Sequence, residues 1–110
     1  MLSTPDQRVR AQIEAVKAYL RAEGFIDVED PPQTQQQAFE RHLHTIRMKF
    51  NEGSRILRLS YSWLEEHQPG DIPRWLGERN IGRSLREDPD ATEVVIRADG
   101  MIHFPRMQFP

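Results

Sequence analysis

Arginine and lysine side chains provide the first candidates for chemistry in this sequence. Three of them fall on one face of a predicted β-hairpin: Arg47, Lys49 and Arg58. We predict that Arg47 lies directly opposite Arg58, where like charges repel, so that a bound phosphate or acidic partner would relieve the repulsion. The alternative is that nearby acids such as Glu40 or Glu93 form ion pairs with these side chains and neutralise the face.

A second group of basic residues recurs along a predicted helix near the end of the chain. Its members follow one another at spacings of four and three, which places them on one helical face: Arg79, Arg83 and Arg86. A helix that contacts nucleic acid has such a face. Glu78 and Glu87 are interleaved with the arginines, however, and this pattern is typical of an ordinary solvated helix surface.

Residues that could carry out catalysis are harder to find. The chain has no cysteine, which excludes thiolate nucleophiles, thiolate zinc sites and disulfides. His42 and His44 project to the same side of a strand, but no nearby carboxylate or thiolate completes a metal site. The serines lack the Gly-x-Ser-x-Gly setting of a nucleophile, and no glycine-rich loop is present to hold a phosphate. We therefore expect a protein that is not an enzyme and that holds no metal or cofactor.

Apolar residues near the end of the chain indicate a surface for a protein partner. A hairpin is predicted over residues 93–104, turning on Asp99-Gly100. Alternation gives it one face with Val94, Ile96, Met101 and His103. The other face carries Val95, Ile102 and Phe104 together with Arg97. Because both faces are substantially apolar, either the hairpin is covered on both sides or one face meets a partner.

The two tryptophans are further candidates for an interface. Trp63 and Trp75 both lie near predicted helix starts. Partly buried tryptophans are enriched in protein interfaces, although in a chain of this size the same residues more often fill the core.

The periodicity of the apolar residues predicts the elements that hold these groups. A helix over residues 5–23 carries one apolar stripe, and Gly24 ends it. A hairpin turning on Glu52-Gly53 follows, with burial setting its register: Met48 opposite Leu57, Ile46 opposite Leu59, and His44 opposite Tyr61. Ser62 then caps a short helix, and a second helical segment follows with a break near Asn80. We predict an α+β fold: an N-terminal helix, a hairpin, one or two helices and a second hairpin, forming a four-stranded antiparallel sheet with helices on one face.

The chain is predicted to form a single domain over residues 1–110. Residues 29–37 have the composition of a flexible connector, and residues 106–110 form a short tail. Residues 25–28 form either a short edge strand or an apolar clip against the helix end.

Composition narrows the range of partners. The net charge of −2 provides no overall attraction for nucleic acid or anionic lipid. The first residues lack the features of a signal peptide, and no apolar run approaches the roughly 20 residues of a membrane span. We expect a soluble, cytoplasmic protein without a membrane partner. The favoured function is a binding or regulatory module that acts through protein–protein contact, as a homodimer or with another protein; the alternative is a nucleic-acid-binding protein that uses either arginine group.

Overall fold

The helices and strands are grouped along the chain, as is typical of an α+β fold: one helix, three strands, a helical segment and two strands. The computed structural model describes residues 9–30, 43–51, 53–87 and 92–104. Within these residues the elements are α1 (Arg10–Ala22), β1 (Ile26–Glu29), β2 (Leu43–Phe50), β3 (Gly53–Ser60), α2 (Tyr61–Glu65), a 3₁₀ turn (Pro69–Asp71), α3 (Ile72–Glu78), α4 (Ile81–Glu87), β4 (Glu93–Ile96) and β5 (Ile102–His103). The predicted α+β class is confirmed.

The strands form one mixed sheet with the order β1-β2-β3-β4-β5. Neighbouring strands are antiparallel except for β3 and β4, which are parallel. The prediction of four antiparallel strands therefore differs in two respects. Residues 26–29 add a fifth strand, and the helices α2 to α4 carry the chain back along one face of the sheet before β4 begins. A strand that follows such a crossover runs parallel to the strand before it.

The first helix ends where its sequence predicts. Its apolar stripe is buried in the core, with Ile13, Val16 and Leu20 at most 1% exposed. Gly24 follows with a φ of 101°, a conformation that costs glycine little, and the Phe25 amide closes the helix on the Leu20 carbonyl. The predicted helix start at residue 5 lies outside the described residues.

The hairpin of β2 and β3 has the predicted faces but a different register. Ile46 lies opposite Leu57 and Arg47 lies opposite Ile56, a shift of two residues from the predicted pairs. The turn starts at Asn51, whose φ of 55° suits asparagine, and strand pairing resumes at Gly53. A shift of two residues keeps each side chain on its own face. The predicted juxtaposition of Arg47 and Arg58 is therefore wrong.

The hairpin of β4 and β5 has its faces arranged differently from the prediction. Ile96 pairs with Ile102, and Val95 pairs with His103. Three residues instead of two separate the paired Arg97 and Met101, and the last of the three, Gly100, has a φ of 84°. This one-residue shift exchanges the faces of β5, because side chains alternate along a strand. Ile102 consequently packs against the core, and the prediction of two apolar faces is wrong.

The segment between β3 and β4 is helical, with the predicted break. The hydroxyl of Ser60 caps α2 by accepting hydrogen bonds from the amides of Ser62 and Trp63, so the cap lies two residues before the predicted Ser62. Asn80 separates α3 from α4 with a φ of 55°. The buried side chains of these helices join those of α1 and of one sheet face in a single core.

The core lies between the helices and this covered sheet face. In the sheet it consists of six side chains that are fully buried: Ile46, Met48, Leu57, Leu59, Val94 and Ile96. Among the described residues, no helix is both long enough and apolar enough to cross a membrane.

Candidate binding surface on the open face of the sheet

The second face of the sheet points away from the helices, and we call it the open face. Along each strand its side chains alternate with those of the core. It includes Leu43, Arg47, Lys49, Ile56, Arg58, Val95, Arg97 and His103. Ile56 and Val95 are partly buried and lie on neighbouring strands among charged side chains. The predicted basic residues Arg47, Lys49 and Arg58 thus share one surface, as the alternation predicts.

A carboxylate lies beside each of these three basic side chains. Arg47 Nη2 is 2.9 Å from Glu29 Oε1, and Lys49 Nζ is 3.9 Å from Asp27 Oδ2. These two acids lie in β1, the segment for which the sequence allowed either an edge strand or an apolar clip.

The third ion pair links β3 to β4. Arg58 Nη1 is 3.2 Å from Glu93 Oε2, and the two side chains are only 21% and 20% exposed. Glu93 is one of the two acids that the sequence offered as a partner. The open face therefore presents matched charges instead of a cationic patch, and a polyanion would have to compete with the carboxylates already in place.

One end of the open face is concave. Leu43 begins β2, Ser60 ends β3, and Arg97 and Ala98 follow β4, so that the sheet and the β4–β5 turn enclose a pocket of about 320 Å³. We call it the Arg97 pocket; its lining is Leu43, Ser60, Val95, Arg97, Ala98 and His103.

Arg97 differs from the other three cations of the open face. Each of those has a carboxylate within 4.0 Å. Within the described residues no ion pair is found for Arg97, whose side chain is exposed at the mouth of the pocket. The sequence placed Arg97 on a strand face but contained no signal that it alone would lack a neighbouring acid.

The second arginine group is dispersed instead of forming one surface. Arg79 lies in the turn after α3, with its Cζ 3.8 Å from the centroid of the Trp75 ring. Arg83 Nε is 2.9 Å from Glu87 Oε2 on the same helix. Arg86 Nη2 reaches Glu23 at the end of α1, at 3.3 Å. These contacts occupy the guanidinium groups within the protein.

The predicted interface residues divide between the core and the surface. Trp63 is 1% exposed and packs in the core, where its ring centroid is 4.8 Å from that of Trp75. Trp75 is partly buried beneath Arg79. Ile102 and Phe104 are partly buried against the core on the covered side of the sheet. Of the predicted interface residues, Val95 therefore lies on the open face.

A polar network joins four elements, and the sequence did not reveal it; its members Lys17, His44 and Tyr61 are buried, whereas Asp30 is partly exposed. Asp30, directly after β1, contacts Lys17 of α1 through Oδ2. Its Oδ1 lies 2.7 Å from Nε2 of His44, and Nδ1 of His44 lies 3.1 Å from the Tyr61 hydroxyl. The alternation did bring His44 and Tyr61 to the same side, but Lys17 and Asp30 come from distant positions that only the folded chain brings together.

The network perturbs the ionisation of its charged members. Burial raises the pKa of the Asp30 carboxyl, but hydrogen bonds and charge from Lys17 and His44 lower it by more, so the pKa lies below its ordinary value. Burial lowers the pKa of Lys17, whereas its contacts with Asp30 and Glu14 raise it by more, so that pKa is raised.

The order carboxylate, imidazole and phenol is that of a proton relay. His44 and Tyr61 are only 4% and 7% exposed, however, and a substrate would not reach them. In this position the network links α1, β1, β2 and α2. Among the described residues, no group of three or more His, Cys, Asp or Glu side chains is arranged to hold a metal ion.

Comparisons with models of protein families, with curated proteins and with solved structures gave no match. The function of this chain is therefore inferred from its own surface.

Proposed function

We propose that this chain is a non-enzymatic binding module that acts through protein–protein contact, and that a second copy of the chain binds to its open face. The observation that supports this proposal is the pairing of Arg47, Lys49 and Arg58 with carboxylates on a face that also holds Ile56 and Val95. Apolar side chains surrounded by neutralised polar groups are typical of protein interfaces.

The charge arrangement favours a protein over nucleic acid as the partner. Nucleic-acid affinity comes largely from cations that neutralise phosphates. On the open face the pairing of three cations with Glu29, Asp27 and Glu93 leaves little net charge for this purpose. The arginines of the second group likewise make contacts within the protein.

The same arrangement favours a second copy as the partner. An interface between two identical chains related by a two-fold axis brings one surface against itself, so the surface must complement itself. Each ion pair of the open face places a cation beside an anion. A second copy that is rotated by half a turn would therefore be able to set its cations against the carboxylates of the first.

Sedimentation equilibrium of the full chain over a range of concentrations tests this proposal. We expect a reversible monomer–dimer equilibrium. Ile56→Gln, which removes an apolar side chain from the centre of the open face, is expected to weaken dimerisation about tenfold or more, as truncation of a central interface residue does. Ala18→Gln is the control, because Ala18 is exposed on α1, away from the sheet, and it should leave the equilibrium unchanged.

Two results would contradict the proposal. One is a chain that stays monomeric at all concentrations, and the other is equal dimerisation of the two variants while both remain folded by circular dichroism. Retention on a heparin or DNA column that falls steeply with salt would instead support the nucleic-acid alternative.

A further inference from the structure

We propose that the Arg97 pocket is a binding site for a carboxylate that carries a short aliphatic chain. This site goes beyond the proposed self-association. Ser60 lies four residues along β3 from Ile56, which is about 13 Å in an extended strand. The pocket therefore lies at the end of the open face, away from Ile56, the residue that tests the dimer, although it shares Val95 with the proposed dimer surface.

The walls of the pocket define the apolar part of the ligand. Leu43 and Val95 contribute branched aliphatic side chains, and Ala98 adds a methyl group. The volume of about 320 Å³ is that of a small-molecule site. An aliphatic group in this space would contact carbon atoms on several sides and lose its contact with water.

The charge at the mouth of the pocket defines the polar part of the ligand. Arg97 is the cation of the open face that has no carboxylate neighbour among the described residues, whereas Arg47, Lys49 and Arg58 each have one. A guanidinium binds a carboxylate with two parallel hydrogen bonds. Residues of β1 and β4 supply the carboxylates beside the other three cations. At Arg97 the ligand would supply the carboxylate.

Ser60 provides independent evidence that the ligand carries a hydrogen-bond acceptor. Its side chain lines the pocket and is 4% exposed. The hydroxyl oxygen accepts hydrogen bonds from the amides of Ser62 and Trp63, so its lone pairs are used in capping α2. The hydroxyl hydrogen remains a donor, and within the described residues no acceptor for it is found. A ligand oxygen in the pocket would satisfy this donor.

The same features argue for a monoanion over a phosphate. A phosphate group carries nearly two charges and requires several donors. Arg97 is the one arginine or lysine in this lining, which otherwise consists of the Ser60 hydroxyl, the His103 imidazole and three aliphatic side chains. Aliphatic carboxylates and the carboxyl end of a protein chain with an aliphatic last residue share the chemistry that fits.

Titration with 4-methylpentanoate, followed by ¹H–¹⁵N NMR of the full chain, tests the site. We expect saturable shifts of the Arg97, Ala98 and His103 amides, with a dissociation constant in the millimolar range, as is usual for a ligand with few atoms. The uncharged 4-methylpentanamide should bind at least about tenfold more weakly, because a hydrogen bond to a charged group contributes that factor or more.

Arg97→Gln should weaken binding by a similar factor. Arg74→Gln is the matched control, since it removes an exposed arginine of α3 that already has a carboxylate partner and lies off the open face, and it should leave binding unchanged. A tripeptide Gly-Gly-Leu and its carboxyl-terminal amide distinguish the sources. Tighter binding of the free tripeptide than of 4-methylpentanoate assigns the site to a chain end, and the reverse assigns it to a free acid.

The absence of saturable shifts, equal binding of acid and amide, or an unchanged affinity of Arg97→Gln would each overturn the proposal. Repeating the titration with Ile56→Gln separates this result from the proposed function. If a monomeric variant binds the carboxylate, the pocket is a binding site whether or not the chain dimerises. If the chain dimerises but does not bind the carboxylate, the proposed function stands and the pocket proposal fails.

Discussion

Replacement of Asp30 by asparagine is expected to destabilise the protein by disrupting the buried network. The change keeps the shape of the side chain but removes the charge that faces Lys17, which is 8% exposed, and His44. Removing one member of a buried ion pair costs about 3–5 kcal/mol, because the remaining charge is left in a poorly solvated place.

The magnitude should be smaller than this range for two structural reasons. The Asp30 side chain keeps 29% of its exposure, and Glu14 Oε2 remains 3.1 Å from Lys17 Nζ as a second carboxylate. We therefore expect a loss of about 2–3 kcal/mol in the free energy of unfolding, out of a typical total of about 5–15 kcal/mol. The midpoint of thermal unfolding should fall by roughly 10 °C.

Urea denaturation, monitored by the fluorescence of Trp63 and Trp75, measures the difference. Asp71→Asn is the matched control: Asp71 Oδ1 lies 3.4 Å from Arg74 Nη2, but both side chains are more than half exposed. An exposed pair contributes little, so this variant should lose less than about 0.5 kcal/mol. Equal losses in the two variants would refute the role that we assign to the buried network.

The pH dependence provides a second check with a defined sign. Because the pKa of Asp30 in the folded protein lies below its ordinary value of 3.8, the folded state favours the charged carboxylate. Its stabilising contribution is complete above about pH 4 to 5 and is lost as the pH falls through the lowered pKa. The stability difference between the wild type and Asp30→Asn should therefore shrink below pH 4, and a difference that grows there would contradict the assignment.

Two further predictions concern the backbone of the helical segment, and urea denaturation checks both. In Gly82→Ala the new Cβ would lie 2.7 Å from Glu23 Cγ and 2.9 Å from the Tyr19 hydroxyl. We therefore expect the free energy of unfolding to fall by about 1–3 kcal/mol. Gly77→Ala is the control: its new Cβ meets open space, and helix propensity should raise the free energy of unfolding by about 0.5–1 kcal/mol. Asn80→Ala should lower the free energy of unfolding by about 1–2 kcal/mol, because φ is 55° at this residue. Asn80→Gly should stay within about 0.5 kcal/mol of the wild type. Equal effects of the two substitutions would contradict the role of the positive φ.

The sequence predicted the faces of the first hairpin but not its register. Alternation along β2 and β3 is a local property, and burial of Ile46, Met48, Leu57 and Leu59 confirms it. The register depends on where the turn lies. The prediction placed the turn on Glu52-Gly53 because glycine favours turns, whereas in the structure the turn begins at Asn51.

The second hairpin shows the same limit with a larger consequence. Asp99-Gly100 is a strong turn signal, and a turn does form there. The sequence did not indicate whether the loop has two or three residues. That single residue decides whether Ile102 points toward the helices or away from them, and the third loop residue places it against the core. The predicted apolar face of Val95, Ile102 and Phe104 therefore does not form: Ile102 and Phe104 pack against the core, and Val95 lies on the open face.

The candidate binding surface was predicted only in part. Alternation brought Arg47, Lys49 and Arg58 together, but their partners come from β1 and β4, whose places in the sheet depend on chain topology. From the sequence, the neighbours of a basic residue can be predicted within its own helix or hairpin but not on other elements. The ion pairs that neutralise the open face, and the lack of one at Arg97, therefore became visible only with the sheet assembled.

The sequence by itself determined the α+β class, the helical stripe of α1, the break at Asn80 and the face on which each side chain of β2 and β3 lies, because these follow from periodicity and from residues with restricted backbone geometry. The tertiary structure alone decided the parallel pairing of β3 with β4, the strand registers, the network around Asp30 and the pocket beside Arg97. These features depend on contacts between residues that are far apart in the chain, and such contacts form only when burial of the whole core selects one arrangement of the elements.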